Sequence, residues 1–229
     1  YTYRDALRRS KQLANALLAL GVKSGDRVAT LAWNGYRHFE CYYAISGLGA
    51  ICHTVNPRLY TEQIEYIIQH AEDCYVLLDA CFAKLLEPVA DKLTSVRGFI
   101  IMIDDDQMPE TTLPNPMNYE ALLAQHSTEL VWPRFPQDTA SGLCYTSGTT
   151  GNPKGVLYSH RSSVLHSMVS CTASGFSLSV EDSILVVVPM FHVNAWGMPY
   201  SGALSGAKLV LPGPALDGAS LYGLMRDER

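Results

Sequence analysis

The chain has 229 residues, a formal net charge of −5 and 48% hydrophobic residues; it can bury a sizeable core as one large domain or two small ones. Its negative balance supplies no basic field for nucleic acid or an anionic membrane. No stretch approaches the roughly 18 uninterrupted apolar residues of a membrane-spanning helix, and the N-terminus carries no secretory pattern. The 6 cysteines (Cys41, Cys52, Cys74, Cys81, Cys144 and Cys171) form no C-x-x-C pair and no metal-finger spacing, and read as buried free thiols of a reducing cytoplasm.

In chain order, Ala6, Leu7, Leu13, Ala14, Leu17 and Leu18 recur at helical spacing and predict a helix from Tyr3 to Leu20, stopped by Gly21. Val28 to Ala32 reads as a buried strand, Tyr36 to Leu48 as a helix, and Ile51 to Val55 as a strand ended by Asn56-Pro57. Thr61 is the expected N-cap of a helix ending near His70. A strand at Tyr75 to Leu78, a helix at Cys81 to Ala90 and a strand at Phe99 to Ile103 follow. Asp104 to Met117, with three consecutive acids and three prolines, reads as a surface excursion, and residues 132–136 as a second irregular stretch.

Beyond it, Leu143 to Tyr145 and Val156 to Tyr158 are strand-like, and Arg161 to Ala173 is helical. Ile184 to Val188 is a strand, Ala195 to Leu204 a mixed helix and Lys208 to Leu211 a last strand. This alternation of short apolar runs with amphipathic segments argues for an α/β fold with a largely parallel sheet. Two portions are expected, about 1–136 and 137–229.

Thr146-Ser147-Gly148-Thr149-Thr150-Gly151-Asn152-Pro153-Lys154-Gly155 concentrates hydroxyls, glycines and one lysine. Such a loop suits a polyphosphate: glycines let the backbone approach an anion, successive N–H groups form an anion-binding concavity, and Lys154 adds charge. At an effective dielectric near 20, a lysine about 4 Å from one phosphate charge gains roughly 4 kcal/mol before desolvation. The run is not a Walker A motif, since Pro153 and Gly155 stand where that pattern needs glycine and a hydroxyl residue. The apolar run before it puts the loop at a strand's C-terminal end, where open α/β sheets bind ligands.

Tyr145 to Gly155 resembles the phosphate-loop signature of the adenylate-forming superfamily, which includes acyl-CoA synthetases, aryl-CoA ligases, luciferases and peptide-synthetase adenylation domains. Tyr1-Thr2-Tyr3 is similar to its early T-Y motif, and Gly49-Ala50 with His53 to Leu59 to its second motif. Pro189-Met190-Phe191-His192-Val193-Asn194-Ala195-Trp196 resembles the acid-pocket motif of fatty acyl-CoA synthetases. The resemblance spans essentially the whole chain. It implies the N-terminal part of a large domain built of stacked, mostly parallel sheets flanked by helices, with the small C-terminal domain and its catalytic lysine beyond this chain, which alone is expected to catalyse neither half-reaction.

The implied reaction joins a carboxylate to the α-phosphate of ATP, releasing pyrophosphate, and then transfers the acyl group to coenzyme A. By resemblance Thr146 is the Mg2+ ligand, and Thr146, Ser147, Gly148, Thr149, Thr150, Gly151 and Lys154 hold the nucleotide, with Lys154 at the pyrophosphate. His192 orients the carboxylate, and Val193 and Trp196 line the acyl pocket, Trp196 near its entrance. Where amino-acid-selecting relatives carry an aspartate after the phenylalanine, this chain has His192; an ammonium-bearing substrate would lack its counter-ion.

A medium- or long-chain fatty acid is the preferred substrate, with aryl acids and a non-catalytic nucleotide- or acyl-binding module as alternatives. Contact with membranes is expected only to collect substrate, the setting is cytoplasmic, and the oligomeric state is open, a homodimer included. His53 and Arg58 are expected to be structural, with Arg58 pairing or capping. Asp104-Asp105-Asp106 reads as a solvated charge run. No catalytic role falls to His160 or His166.

Overall fold

The structure is a computed structural model that describes residues 1–104, 107–146 and 152–228. Helix α1 (Tyr3–Ala19) opens with a capping box, in which the Thr2 hydroxyl accepts from Asp5 N and the Asp5 carboxylate accepts from Thr2 N. Its Ala6, Leu13, Ala14 and Leu17 face the core, and the chain turns away at Gly21, whose φ is +79°. Strands β1 (Arg27–Leu31), β2 (Ile51–Thr54), β3 (Tyr75–Asp79), β4 (Phe99–Met102), β5 (Pro116–Asn118), β6 (Ala140–Thr146) and β7 (Lys154–Ser159) form one sheet in the order β5-β4-β3-β1-β2-β6-β7. All its pairings are parallel except β6 with β7, which is antiparallel. The α/β expectation of a largely parallel sheet is met.

The sequences of β1 to β4 are nearly continuous buried runs because both faces are covered, whereas the edge strands β5 and β7 contain no buried residue. Val28, Leu77 and Ile100 join the core under α1, α2 (Tyr36–Gly47) and α5 (Tyr119–Ala124). Their neighbours Ala29, Val76, Leu78, Phe99 and Ile101 join the opposite core under α3 (Thr61–Ala71) and α4 (Ala83–Leu86). Glu40 of α2, fully buried, accepts from Arg9 Nε at 2.6 Å and from the Tyr119 hydroxyl at 2.5 Å; Arg9 also forks onto Glu120 at 2.8 and 2.9 Å. This satisfied cluster ties α1, α2 and α5 together, since a buried carboxylate is tolerated only when its oxygens are occupied.

Several expectations are corrected. Tyr60, not Thr61, is the N-cap of α3; Thr61 is its first residue. The helix expected at Cys81 to Ala90 is instead 3-10 turns at Ala80–Phe82 and Glu87–Lys92 around the single turn of α4, which Pro88 keeps from continuing because proline cannot donate to the helical ladder. The excursion expected from Asp104 to Met117 ends in the short strand β5, which already includes Pro116 and Met117; Asp104 itself pairs with Arg37, while Asp105 and Asp106 lie outside the described residues. Helix α6 is shorter than expected, His160–Ser170. Among the described residues no helix is long and apolar enough to cross a membrane.

The strand expected at Ile184 to Val188 is only β8 (Ser183–Leu185), which pairs in parallel with β9 (Lys208–Val210) as a separate two-stranded sheet. The following residues leave the sheet because another side chain takes their hydrogen bonds. Asn34, just past β1 and 3% exposed, donates from Nδ2 to the carbonyls of Val186 at 2.7 Å and Val188 at 2.9 Å. Its Oδ1 accepts from Met190 N at 2.6 Å, and its carbonyl accepts from Gly213 N at 2.9 Å. One amide thus docks the segment after β8 onto the C-terminal edge of the large sheet.

Asn34→Ala would strand one buried donor and two acceptors, so urea unfolding should report a loss on the order of 3 kcal/mol. Asn34→Asp, which sets a carboxylate oxygen against the Val186 and Val188 carbonyls in a buried position, should lose at least as much. A loss below about 1 kcal/mol for Asn34→Ala would contradict this docking role.

Candidate active site at the carboxyl edge of the sheet

The parallel strands present their C-terminal ends together: Trp33-Asn34 after β1, Asn56 to Arg58 after β2, Asp79 at the end of β3 and Thr146 at the end of β6. Thr146 is exposed and pairs in register with Lys154, its hydroxyl 3.4 Å from the Lys154 carbonyl. The expected phosphate loop therefore closes a β-hairpin, with Thr146 and Lys154 at its two feet. Ser147, Gly148, Thr149, Thr150 and Gly151 lie outside the described residues. The loop's first strand is braced from below by Tyr145, whose hydroxyl lies 2.6 Å from His70 Nδ1 and whose ring centroid is 5.2 Å from that of His53. Burial pushes the Tyr145 hydroxyl up to about 12, keeping it protonated.

His53 is structural, as expected: its Nδ1 sits 2.6 Å from Asp73 Oδ2, and both side chains are fully buried. Burial raises the Asp73 carboxyl and the facing His53 opposes that rise. Among the described residues the Arg58 side chain caps no helix and pairs with no acid. Its guanidinium lies over the rings of Trp33, at 5.4 Å, and Phe191, at 5.8 Å. A cation over two aromatic faces gains from both ring quadrupoles.

The second expected site begins at Phe191, buried against Trp33 with ring centroids 5.8 Å apart. The mixed helix expected from Ala195 does not start there. Val193, Asn194, Ala195 and Trp196 have φ of 47°, 51°, 48° and 55°, and Gly197 has 74°, so the chain makes a left-handed turn before α7 (Met198–Ser205). Each non-glycine residue there costs roughly 1–2 kcal/mol, so the surroundings must impose the conformation. A Cβ at Gly197 would come within 2.8 Å of the His166 ring, so this position needs glycine for space as well as for φ.

The turn sorts its side chains. His192, Val193 and Trp196 are exposed, whereas Asn194 and Ala195 are buried. The three residues expected at the acid pocket therefore share the outward side of one turn, and the ring of Trp196 lies parallel to that of Phe176 at 6.5 Å.

Beneath it, Cys144 Sγ donates to Asn194 Oδ1 at 3.3 Å, and the backbone N–H groups of Asn194 and Val193 face the same sulfur. The Tyr42 hydroxyl of α2 donates to the Met190 carbonyl at 2.5 Å and lies 3.1 Å from Asn194 Oδ1. His166 Nε2 lies 3.0 Å from the Trp196 carbonyl. Burial raises the Cys144 thiol, the Thr54 hydroxyl and those two N–H groups opposing it, so the sulfur stays a neutral donor. Because Cys144 stands two residues before Thr146, the direct Cys144–Asn194 contact brings the phosphate-loop strand and the acid turn to one edge.

Asn34, Tyr42, Cys144 and Asn194 were not singled out as functional from sequence. Only Asn194 offered a signal, since asparagine tolerates the left-handed region better than most residues. For a metal, the Thr146 hydroxyl is a hard oxygen donor of the kind Mg2+ accepts. Among the described residues no group of three His, Cys, Asp or Glu side chains gathers into a site of its own.

Asp79 is the titratable group at this edge whose charge opposes the fold. Its Oδ2 accepts from Trp33 N at 2.7 Å, yet burial pushes its carboxyl from 3.8 up to about 6. A carboxyl whose folded pKa is raised contributes stability while protonated and loses it on ionisation. The wild-type protein should therefore lose on the order of 2 kcal/mol relative to Asp79→Asn as pH rises from about 4 to about 6, with a constant difference above pH 7. Urea unfolding of both proteins across pH 4–8 checks this, and a difference that does not change with pH contradicts it.

Comparison with known proteins gives the family and the fold. The AMP-binding enzyme family matches residues 1–229. The medium-chain-fatty-acid–CoA ligase of Ectopseudomonas oleovorans is 54% identical over 220 residues, 96% of this chain and 40% of that protein. The long-chain-fatty-acid–CoA ligase of Thermus thermophilus is 48% identical over 227 residues, 99% of this chain and 40% of that protein. The crystal structure of the N-terminal domain of FACL13 from Mycobacterium tuberculosis superposes with a TM-score of 0.84 at 26% identity, covering 100% of this chain and 54% of that one. The long-chain-fatty-acid-CoA ligase FadD1 of Archaeoglobus fulgidus has a TM-score of 0.85, covering 99% of this chain and 42% of that one; at 19% identity the likeness is of fold. The chain spans about two fifths of the length of the curated relatives it matches. With the family matched from end to end and the sheet edge built as described, the chain belongs to the AMP-binding enzyme family.

Proposed function

We propose that this chain supplies the nucleotide- and acid-binding side of an ATP-dependent fatty acid–CoA ligase acting on medium- or long-chain acids. The observation that carries the reading is the Cys144–Asn194 contact, which joins the strand entering the phosphate loop to the turn bearing His192. The names and identities of the relatives support the acyl class. In the first half-reaction a carboxylate oxygen attacks the α-phosphorus of ATP. The bond to the bridging oxygen breaks, pyrophosphate leaves and an acyl-adenylate forms. In the second, the sulfur of coenzyme A attacks the acyl carbon, AMP leaves and the thiol proton passes to solvent or base.

Thr146, Ser147, Gly148, Thr149, Thr150, Gly151 and Lys154 would cradle the triphosphate, with Lys154 offsetting charge on the departing pyrophosphate. Bound Mg2+ would share that charge, with the Thr146 hydroxyl as one oxygen ligand. His192 would orient the carboxylate, while Val193 and Trp196 would contact the alkyl chain. The motif Phe191 to Trp196 contains no acid to pair an ammonium group, which disfavours amino acids. The two portions, about 1–136 and 137–229, would be an α/β portion and the portion bearing the phosphate loop and the acid pocket, in a cytoplasmic setting.

Carboxylate-dependent ATP–pyrophosphate exchange by the intact reading frame tests this, with fatty acids of graded length, benzoates and amino acids as substrates. Exchange confined to fatty acids is expected, reduced at least 100-fold by Lys154→Ala or His192→Ala, on the scale of losing one charge-stabilising or positioning group. Exchange with benzoates alone would transfer the assignment to an aryl acid. ATP binding without exchange for any acid would leave a binding module.

A further inference from the structure

The left-handed turn from Val193 to Gly197 is the most strained described segment, and it carries every residue proposed to meet the acid except His192, which enters it. A strained turn keeps one shape only if its surroundings fix it. Ala195 N donates to the His192 carbonyl at 3.0 Å, but this bond lies within the turn and cannot position it. Among the described residues, the side-chain hydrogen bonds leaving the turn are those of the buried Asn194, with Cys144 on β6 and Tyr42 on α2; the backbone N–H groups of Val193 and Asn194 also face the Cys144 sulfur, His166 meets the Trp196 carbonyl, and the Trp196 ring lies parallel to that of Phe176. Tyr42 also holds Met190, one residue before Phe191, so the segment is gripped on both sides of His192.

We propose that Asn194 is a positioning residue: seated between Cys144 and Tyr42, it holds the left-handed turn that presents His192, Val193 and Trp196, and sets the acid side in register with the strand that enters the phosphate loop. This rests on the reading of the site as an acid-activating one, which it refines by separating the group that aligns the acid side from those that touch the acid. The backbone requirement and the side-chain requirement at position 194 are distinct. Glycine would satisfy the first without strain and could not satisfy the second.

Two measurements on the intact reading frame test it. The first needs no turnover: native alkylation with iodoacetamide, followed by tryptic digestion and quantification of residues 135–154, where Cys144 is the sole cysteine. Asn194→Ala and Asn194→Gly are both expected to label Cys144 at least about tenfold faster than wild type, because the turn that covers the sulfur opens. Cys41 and Cys52, carried together on residues 38–58, should stay protected. Wild-type labelling rates in Asn194→Gly would show that backbone preference alone holds the turn and would overturn the proposal. Labelling of Cys41 and Cys52 at the same raised rate would show general loosening and would also overturn it.

The second is steady-state exchange, where Asn194→Ala should raise KM for the acid at least about tenfold and leave KM for ATP within about twofold. Equal rises in both would contradict a role on the acid side. A wild-type protein without acid-dependent exchange would defeat the proposed reaction, while the alkylation result would still decide whether Asn194 holds the turn.

Discussion

The arrangement depends on one buried amide. Asn34 stands where β1 leaves the sheet and satisfies the backbone of a segment more than 150 residues later in sequence, at Val186, Val188 and Met190. Among the described residues no strand of the seven-stranded sheet pairs with that segment, since β8 and β9 form a sheet of their own. Without Asn34 the carbonyls of Val186 and Val188 and the N–H of Met190 would lose the partner they have at the edge, which a folded chain tolerates poorly. The same residue's carbonyl receives Gly213, so both flanks of α7 are held to the end of β1. A small amide does this because it offers two donors and an acceptor on one short side chain.

From that docking the chemistry of the edge follows. Fixing Met190 fixes Phe191, which packs on Trp33, and Trp33 in turn gives its N–H to Asp79. The chain then makes the left-handed turn from Val193 to Gly197 before α7. That conformation directs Asn194 and Ala195 inward and His192, Val193 and Trp196 outward. The strain is local, and the neighbouring packing is dense enough to impose it: Cys144, Tyr42 and His166 each meet the turn from a different element. Three separate elements thus fix the turn that carries His192, Val193 and Trp196, and β6 and β7 flank the stretch proposed to hold the triphosphate.

The large sheet was legible in the sequence because strands buried on both faces must be apolar throughout, as at Phe99 to Met102 and Tyr75 to Leu78. Helix α1 was legible from its spacing and its stop at Gly21. Elements decided by distant contacts were not. Ile184 to Val188 has strand composition, yet its second half is claimed by Asn34, which no local pattern announces. Cys81 to Ala90 has helical periodicity, but Pro88 limits it to short turns. The residues Val193 to Trp196 carry no signal for a left-handed turn beyond one asparagine. The motifs located Thr146, Lys154, His192, Val193 and Trp196, and the fold brings their two stretches to one edge. The residues beneath them, Cys144, Tyr42 and Asn34, look from sequence like ordinary core or helix positions.

The central claim is that Asn34 makes the segment around Met190 part of the folded core rather than a surface connection. Native-state hydrogen exchange of the Met190 amide, followed by NMR in a series of low urea concentrations, tests it most directly. The account predicts that this amide opens with nearly the free energy and urea dependence of the β1 and β3 amides. Exchange of Met190 at the rate of an unprotected loop amide, with β1 and β3 still protected, would contradict it.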